Sequence, residues 1–318
     1  MSQNIDTSDR EISISRTLDA PREVVYRAFT DPRQLALWWG PRGFINTIEV
    51  FDLRVGGVWQ FMMHGPDGTD YPNHVVFTEV EAPARLKLVH GARADDPNAF
   101  INIITFDEHE GRTTVTLKAI LPSAEALAYV VEHHNAIEGG NGNLDRFVEQ
   151  FALQDNPFLL ERFVAAPPAL VWAAWTDPAH LAKWFGPADF TMLRCAMDLR
   201  PGGSFHYGMQ GPDGHAMWGK WQIRDVAAPR MLSVITSFSD EHGGMTRHPA
   251  AADWPLETLS RTVFEPKDGG TLMKLQWAAW RAAPHERALF DASHAGMAQG
   301  WGGMMANFDA YVAAVQAS

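Results

Sequence analysis

The chain has 318 residues, 46% hydrophobic and 20% charged, which suits about two packed domains. Its net charge of −12 opposes binding to nucleic acid or to an anionic membrane surface, since both need positive charge. A single cysteine, Cys195, excludes an intramolecular disulfide and a cysteine-based zinc site; with no signal-peptide core or membrane-length apolar run, a cytoplasmic protein is expected.

The first ten residues are polar and expected to be disordered. From Glu11 to Leu18, Ile12 and Ile14 alternate with Ser13 and Ser15, the pattern of a strand. Pro21 opens a helix carrying Val24, Val25, Ala28 and Phe29 at helical spacing. Next comes Thr30-Asp31-Pro32, where Asp31 caps a second short helix with Pro32 in its first position. Leu35, Trp38 and Trp39 form the apolar face of that helix, and Gly40-Pro41 ends it. Strands are expected over 44–53, 58–64, 75–80, 85–90, 100–106 and 113–119, with Gly65-Pro66-Asp67-Gly68 as a hairpin turn. A helical segment, 123–152, closes the half. Gly139-Gly140-Asn141-Gly142 lies inside it, either as a break or as a place of close approach.

The same order then repeats. Thr176-Asp177-Pro178 through Gly186-Pro187 copies Thr30 through Pro41 without a gap. Pro201-Gly202-Gly203 answers Val55-Gly56-Gly57, Gly211 through Gly214 answers Gly65 through Gly68, and Pro229 answers Pro83. Beyond Pro229 the second half gains a longer loop near 239–255, rich in Gly, His, Ala and Pro, and closes with a helix over 286–314. Two domains follow, 11–153 and 157–316, joined by a stretch without linker composition. Each is α+β: an antiparallel sheet whose buried face only the long last helix can cover.

These motifs carry a resemblance. The Ala-Pro helix opening, the Thr-Asp-Pro…Trp…Gly-Pro stretch, Asp52-Leu53-Arg54-Val55-Gly56-Gly57 with its copy Asp198 through Gly203, and Gly300-Trp301 in the last helix resemble the bacterial family similar to the C-terminal domain of the activator of the ninety-kilodalton heat-shock chaperone ATPase. That family is START-like, within the birch-pollen-allergen-like (SRPBCC) superfamily, and the resemblance covers almost the whole chain twice. It implies two helix-grip domains, each a curved antiparallel sheet wrapped around a long C-terminal helix, with two short helices after the first strand. It also implies an apolar ligand held between sheet and helix, and some superfamily relatives are cyclases or hydrolases. In the first half the last-helix motif departs to Gly139-Gly140, without Trp, and the chaperone activator's own N-terminal domain has no counterpart.

On that basis the cavity candidates are Trp38, Trp59, Phe61, Met63 and His90 in the first half. In the second they are Trp184, Phe205, Tyr207, Met209, Trp221 and Trp301, and its aromatic content makes it the expected better pocket. Within the repeated stretch, Trp38, Trp39, Trp184 and Phe185 are the side chains able to reach a ligand. The competing reading of each aromatic is plain core filling. His90, alone or with Asn102, is the candidate proton donor for an enzymatic alternative. His133 and His134 diverge by about 100° on a helix, so they do not form a metal site. No phosphate loop, dinucleotide fingerprint or Gly-x-Ser-x-Gly is present, so no cofactor and no catalytic residue is assigned. The expected partner is a small apolar or aromatic molecule, with chaperone contact as a third reading. No motif sets an oligomeric state.

Overall fold

A computed structural model describes residues 7–187 and 189–317. The expectation of a disordered start falls, for residues 1–6, outside the described residues. The chain divides into two compact units between Phe151 and Ala152.

The first unit runs β1 (Glu11–Leu18), α1 (Arg22–Thr30), α2 (Pro32–Trp38), β2 (Ile45–Phe51), β3 (Val58–His64), β4 (Asp70–Glu81), β5 (Arg85–Gly91), β6 (Phe100–His109), β7 (Arg112–Ile120), α3 (Ala124–His134) and α4 (Ala136–Ala152). Its sheet has the order β1-β7-β6-β5-β4-β3-β2, and every pairing is antiparallel. The second unit runs β8 (Phe158–Val164), α5 (Pro168–Thr176), α6 (Pro178–Trp184), β9 (Thr191–Met197), β10 (Ser204–Gln210), β11 (Ala216–Ala227), β12 (Met231–Ser239), β13 (Met245–Thr246), β14 (Glu257–Lys267), β15 (Gly270–Trp280), α7 (Pro284–Ala292) and α8 (His294–Ala317). Its order, β8-β15-β14-β12-β11-β10-β9, is the same, with β13 added beside β12.

Both sheets curve, and register shifts mark where they bend. Shifts fall between Ile48 and Val50 and between Phe77 and Glu79 in the first unit, and between Gly208 and Met209 and between Ile223 and Asp225 in the second. An extra residue on one strand raises the local twist and turns the sheet inward. The two helix caps form as the sequence implies: Asp31 Oδ1 accepts from the Arg33 N–H at 2.9 Å and Asp177 Oδ1 from the Ala179 N–H at 2.8 Å. The Arg54–Asp52 and Arg200–Asp198 ion pairs at the Gly-Gly turns are local and exposed, which gives these arginines a structural role.

Three expectations change. The closing helical segment of the first unit breaks at Asn135, not at its glycines. Asn135 adopts a left-handed backbone, φ 48°, which asparagine tolerates, and its N–H caps the Val130 carbonyl. Gly140 lies within α4 at a place of close approach to β1: a Cβ there would stand 2.5 Å from Ile14 Cδ1. The second closing helix is also two helices, parted at Ser293. Strand β4 begins at Asp70 and runs through Pro72, earlier than the expected Val75, because it pairs along the whole of β3.

The closing helix is docked differently in the two units. In the first, α4 turns a polar strip toward α2 and the turn after it. Arg146 is fully buried and donates to four carbonyl oxygens, those of Leu37 (3.2 Å), Gly40 (2.9 Å), Pro41 (2.9 Å) and Phe44 (2.7 Å). One turn on, Glu149 accepts two hydrogen bonds from Arg42, at 2.9 and 3.0 Å. In the second unit the place of Arg146 falls to Asn307, whose Nδ2 donates to the Gly186 carbonyl at 3.2 Å. The aromatic part of the joint is common to both: the Phe308 ring lies 4.6 Å from Trp184 and 5.5 Å from Trp175, as Phe147 lies 4.8 Å from Trp38 and 5.2 Å from Phe29.

Arg146→Met takes the guanidinium from four carbonyls, of which, among the described residues, only that of Pro41 keeps a backbone donor, and should cost about 3 kcal/mol or more. Asn307→Leu should cost about 1 kcal/mol. Urea denaturation of the full chain, with hydrogen exchange read separately for each unit, checks both. Equal losses in the two units would contradict this account.

Candidate functional site

Each unit encloses a cavity between the concave face of its sheet and its closing helices. The first measures about 430 Å³ and the second about 260 Å³. The Gly-Pro pair of the repeated stretch stands at the wall of each, Gly40-Pro41 in one and Gly186-Pro187 in the other. Gly40 and Gly186 have φ of 101° and 116°, conformations that favour glycine, so the turn can bring its backbone to the cavity.

Of the sequence-based candidates, Met63 and His90 line the first cavity, and Tyr207, Met209, Trp221 and Trp301 line the second. Trp38, Trp59, Phe61, Trp184 and Phe205 lie in the packed core instead. The strand face was read correctly for Trp59, Phe61 and Phe205, but a further layer of rings covers them. Trp39 lies 5.0 Å from Trp59, and Phe185 lies 5.8 Å from Phe205. Trp39 and Phe185, each directly after its helix, are the aromatic members of the repeated stretch that reach the cavity walls. Trp38 and Trp184 turn the other way, onto Phe147 and Phe308.

The aromatic content that favoured the second half fills its cavity. Trp277 pairs with Ser260 as Ala119 pairs with Asn102, so a tryptophan stands where the first unit has alanine. Phe147 and Phe308 are equivalent, since each packs on the paired rings of its unit (Phe29 and Trp38, Trp175 and Trp184). Two turns earlier on these helices stand Gly140 and Trp301. Two tryptophans against an alanine and a glycine account for the smaller volume.

The register also aligns the polar groups. His90 faces Val75 across β4–β5, as Thr236 faces Trp221 across β11–β12. Asn102 faces Leu88 as Ser260 faces Val234. Asn73 faces Phe61 as Gly219 faces Tyr207. Each cavity therefore carries its polar patch on the same strands. In the first it is amide and imidazole, in the second hydroxyl. Asn143, which also lines the first cavity, accepts from the Gly40 N–H at 3.1 Å through Oδ1. Asn143, Ala119, Thr236 and Ser260 were not picked out from sequence. Aligning the halves strand by strand finds them, but the inserted loop interrupts that alignment after Pro229.

His90 is buried, and its partners assign its tautomer. Nε2 donates to Asn73 Oδ1 at 2.8 Å, and Asn102 Nδ2 reaches Nδ1 at a longer 3.4 Å. Burial pushes its pKa down to about 4, so the imidazole is neutral near pH 7. Cys195 donates to the Pro178 carbonyl at 3.3 Å, and burial, with the nearby Asp177 charge, raises its pKa, the opposite of an activated thiol. No group of three His, Cys, Asp or Glu side chains among the described residues converges to hold a metal ion. No helix among them is long and apolar enough to cross a membrane.

The family model described as Activator of Hsp90 ATPase homolog 1-like protein matches residues 19–152 and again 165–313. No curated protein matches the chain. Among solved structures, protein Ms6760 from Mycobacterium smegmatis is 31% identical, covering 45% of this chain and 91% of that one, with a TM-score of 0.40. A protein from Arthrobacter aurescens is 28% identical over 46% of this chain and 89% of that one, with a TM-score of 0.43. The di-domain ARO/CYC BexL from the BE-7585A biosynthetic pathway is 13% identical over 95% of this chain and 98% of that one, with a TM-score of 0.48.

The depressed pKa of His90 has a consequence for stability. The unfolded chain takes up a proton at this residue near its ordinary value of about 6.5, while the folded chain resists until about 4. The stability held by neutral His90 is complete above about pH 6.5 and lost as pH falls from there toward 4. The effect is on the order of 3 kcal/mol. An NMR titration of the His90 ring should show no charge change above pH 5. A midpoint near 6.5 would refute the burial argument.

Proposed function

We propose that this chain, which belongs to the Activator of Hsp90 ATPase homolog 1-like family through both of its halves, is a binding protein that encloses a small apolar or aromatic molecule between sheet and closing helix. The observation that carries this reading is the first-unit cavity of about 430 Å³, a size that suits a compact organic ligand. Its wall is mostly apolar, with Trp39, Met63, Phe100 and Leu117 among the lining side chains. The Asn102 and Asn143 amides supply the few polar groups that orient a ligand in such sites.

Binding is favoured over catalysis by the state of His90. Among the described residues lining this cavity, His90 and His134 are the ionisable ones, and His134 is exposed. With both ring nitrogens engaged and the ring held neutral, His90 has no free lone pair to act as a base. It serves to align Asn73 and Asn102. A cyclase- or hydrolase-like role in the same cavity would need a second reactive group. A cytoplasmic setting agrees with the free Cys195 and the net charge of −12.

The neutral fluorophore N-phenyl-1-naphthylamine tests the reading. It should bind saturably to the full chain. Ala119→Trp, which copies the Trp277 solution into the first cavity, should weaken that first-unit binding by about tenfold or more, an effect of about 1.4 kcal/mol or more. Near-UV circular dichroism checks that the variant keeps its packing. Unsaturable binding, or an affinity unchanged by Ala119→Trp, would remove the cavity as the binding site.

A further inference from the structure

The loop inserted in the second half has no counterpart in the first, and it is tied down at both flanks. On its leading side, β13 pairs Met245 and Thr246 with the end of β12. Arg247 then forms an ion pair with Glu286 of α7 and donates to the Trp254 carbonyl at 3.2 Å. The Trp254 ring packs 5.4 Å from Phe290 of α7 and 6.3 Å from Trp277 of β15. His248 lies 4.6 Å from Phe238, and its Nδ1 accepts from the Ala250 N–H at 3.0 Å.

So anchored, the loop walls off a second compartment of about 260 Å³, with His248, Trp254 and Pro255 on its outer side. Tyr207, Thr236 and Trp277 line this compartment and the inner cavity alike. Tyr207 starts on β10, and its ring lies across β11 at Gly219, where a Cβ would stand 2.3 Å from the phenol oxygen. Glycine is required there for the ring to lie as it does. The first unit has Phe61 and Asn73 at these positions, so neither the hydroxyl nor the gap beneath it is repeated.

The Tyr207 hydroxyl makes no hydrogen bond with another described residue. Tyr207 lines both compartments, and burial of its ring raises its pKa to about 12, so the hydroxyl stays protonated and able to donate. The ring is half-buried and its hydroxyl remains accessible, so an acceptor on a molecule occupying the compartments can take its hydrogen bond.

We infer that the second half holds a two-compartment site for an elongated, flat aromatic molecule, whose carbonyl or other acceptor oxygen takes a hydrogen bond from Tyr207 at the shared wall. The inner compartment supplies the faces of Trp175, Trp221 and Trp301 for one ring system. The outer one, between Phe238 and Trp254, takes the remainder. The inference rests on the binding role proposed above. It adds the ligand's shape and the residue that reads its oxygen, and it makes the two halves selective for different molecules.

Chromone and flavone are suitable probes, because flavone is chromone extended by one ring. Titration calorimetry in the Ala119→Trp background confines the measurement to the second half. Flavone should bind about tenfold tighter than chromone. Trp254→Ala should abolish that advantage and leave chromone unchanged. Tyr207→Phe, which keeps the ring, should weaken both about tenfold. Equal affinities for the two probes, an advantage that survives Trp254→Ala, or no binding of either would overturn the outer compartment. Affinities unaffected by Tyr207→Phe would overturn the role of the hydroxyl. Either failure leaves the wider binding role standing if N-phenyl-1-naphthylamine still binds the unaltered protein and is displaced from it by Ala119→Trp.

Discussion

Everything at the two cavities depends on how the closing helix is docked onto the Gly-Pro turn that follows the second short helix. That turn carries Trp39 or Phe185 into the wall and sets the edge of the cavity. In the first half a polar contact is added: the buried Arg146 guanidinium gathers four carbonyl oxygens, of which, among the described residues, only that of Pro41 also accepts a backbone N–H, from Phe44. A buried charge is tolerated only when its donors are used, so the turn cannot shift without stranding both sides. The second half keeps the aromatic packing that both halves share, Phe308 against Trp175 and Trp184, but has in place of the guanidinium an Asn307 amide on the turn, with His180 bonded to Tyr311 nearby.

With the turn held, the sheet register decides the chemistry of each cavity. Equivalent strands put His90 and Thr236, and likewise Asn102 and Ser260, at matching places. Duplication thus preserved the position of a polar patch and changed its donors. Volume was altered in the same way, with Ala119 and Gly140 in one half against Trp277 and Trp301 in the other. Exchanges of this size at fixed backbone positions alter what fits without altering the fold, because sheet pairing and helix docking use other atoms. The inserted loop is a third change of this kind. It adds a wall beyond the sheet and is anchored by Arg247 and Trp254, side chains within the insertion.

Much of the fold was legible because its signals are local. Asp31 before Pro32 and Asp177 before Pro178 cap helices through contacts two residues away. The Pro-Asp-Gly turns and the alternation along β3 and β10 act within a few residues as well. The helix break at Asn135 was missed because the nearby glycines are the stronger helix breakers by propensity. Those glycines instead lie inside a helix held by tertiary packing, with Gly140 placed where β1 comes close, a contact distant in sequence.

By itself, then, the sequence determined a duplicated α+β module, its caps and turns, and which face of β3 and β10 points inward. It also marked the repeated stretch as the feature common to both halves. Only the tertiary structure decided which inward side chains meet a cavity and which are covered by a second layer of rings. Trp59 and Met63 share a strand face, yet Trp39 covers one while the other lines the cavity. The neutral state of His90 and the unpaired hydroxyl of Tyr207 belong to the same class. Burial and partnership are sums over residues from several strands, and no local pattern in the chain records such a sum.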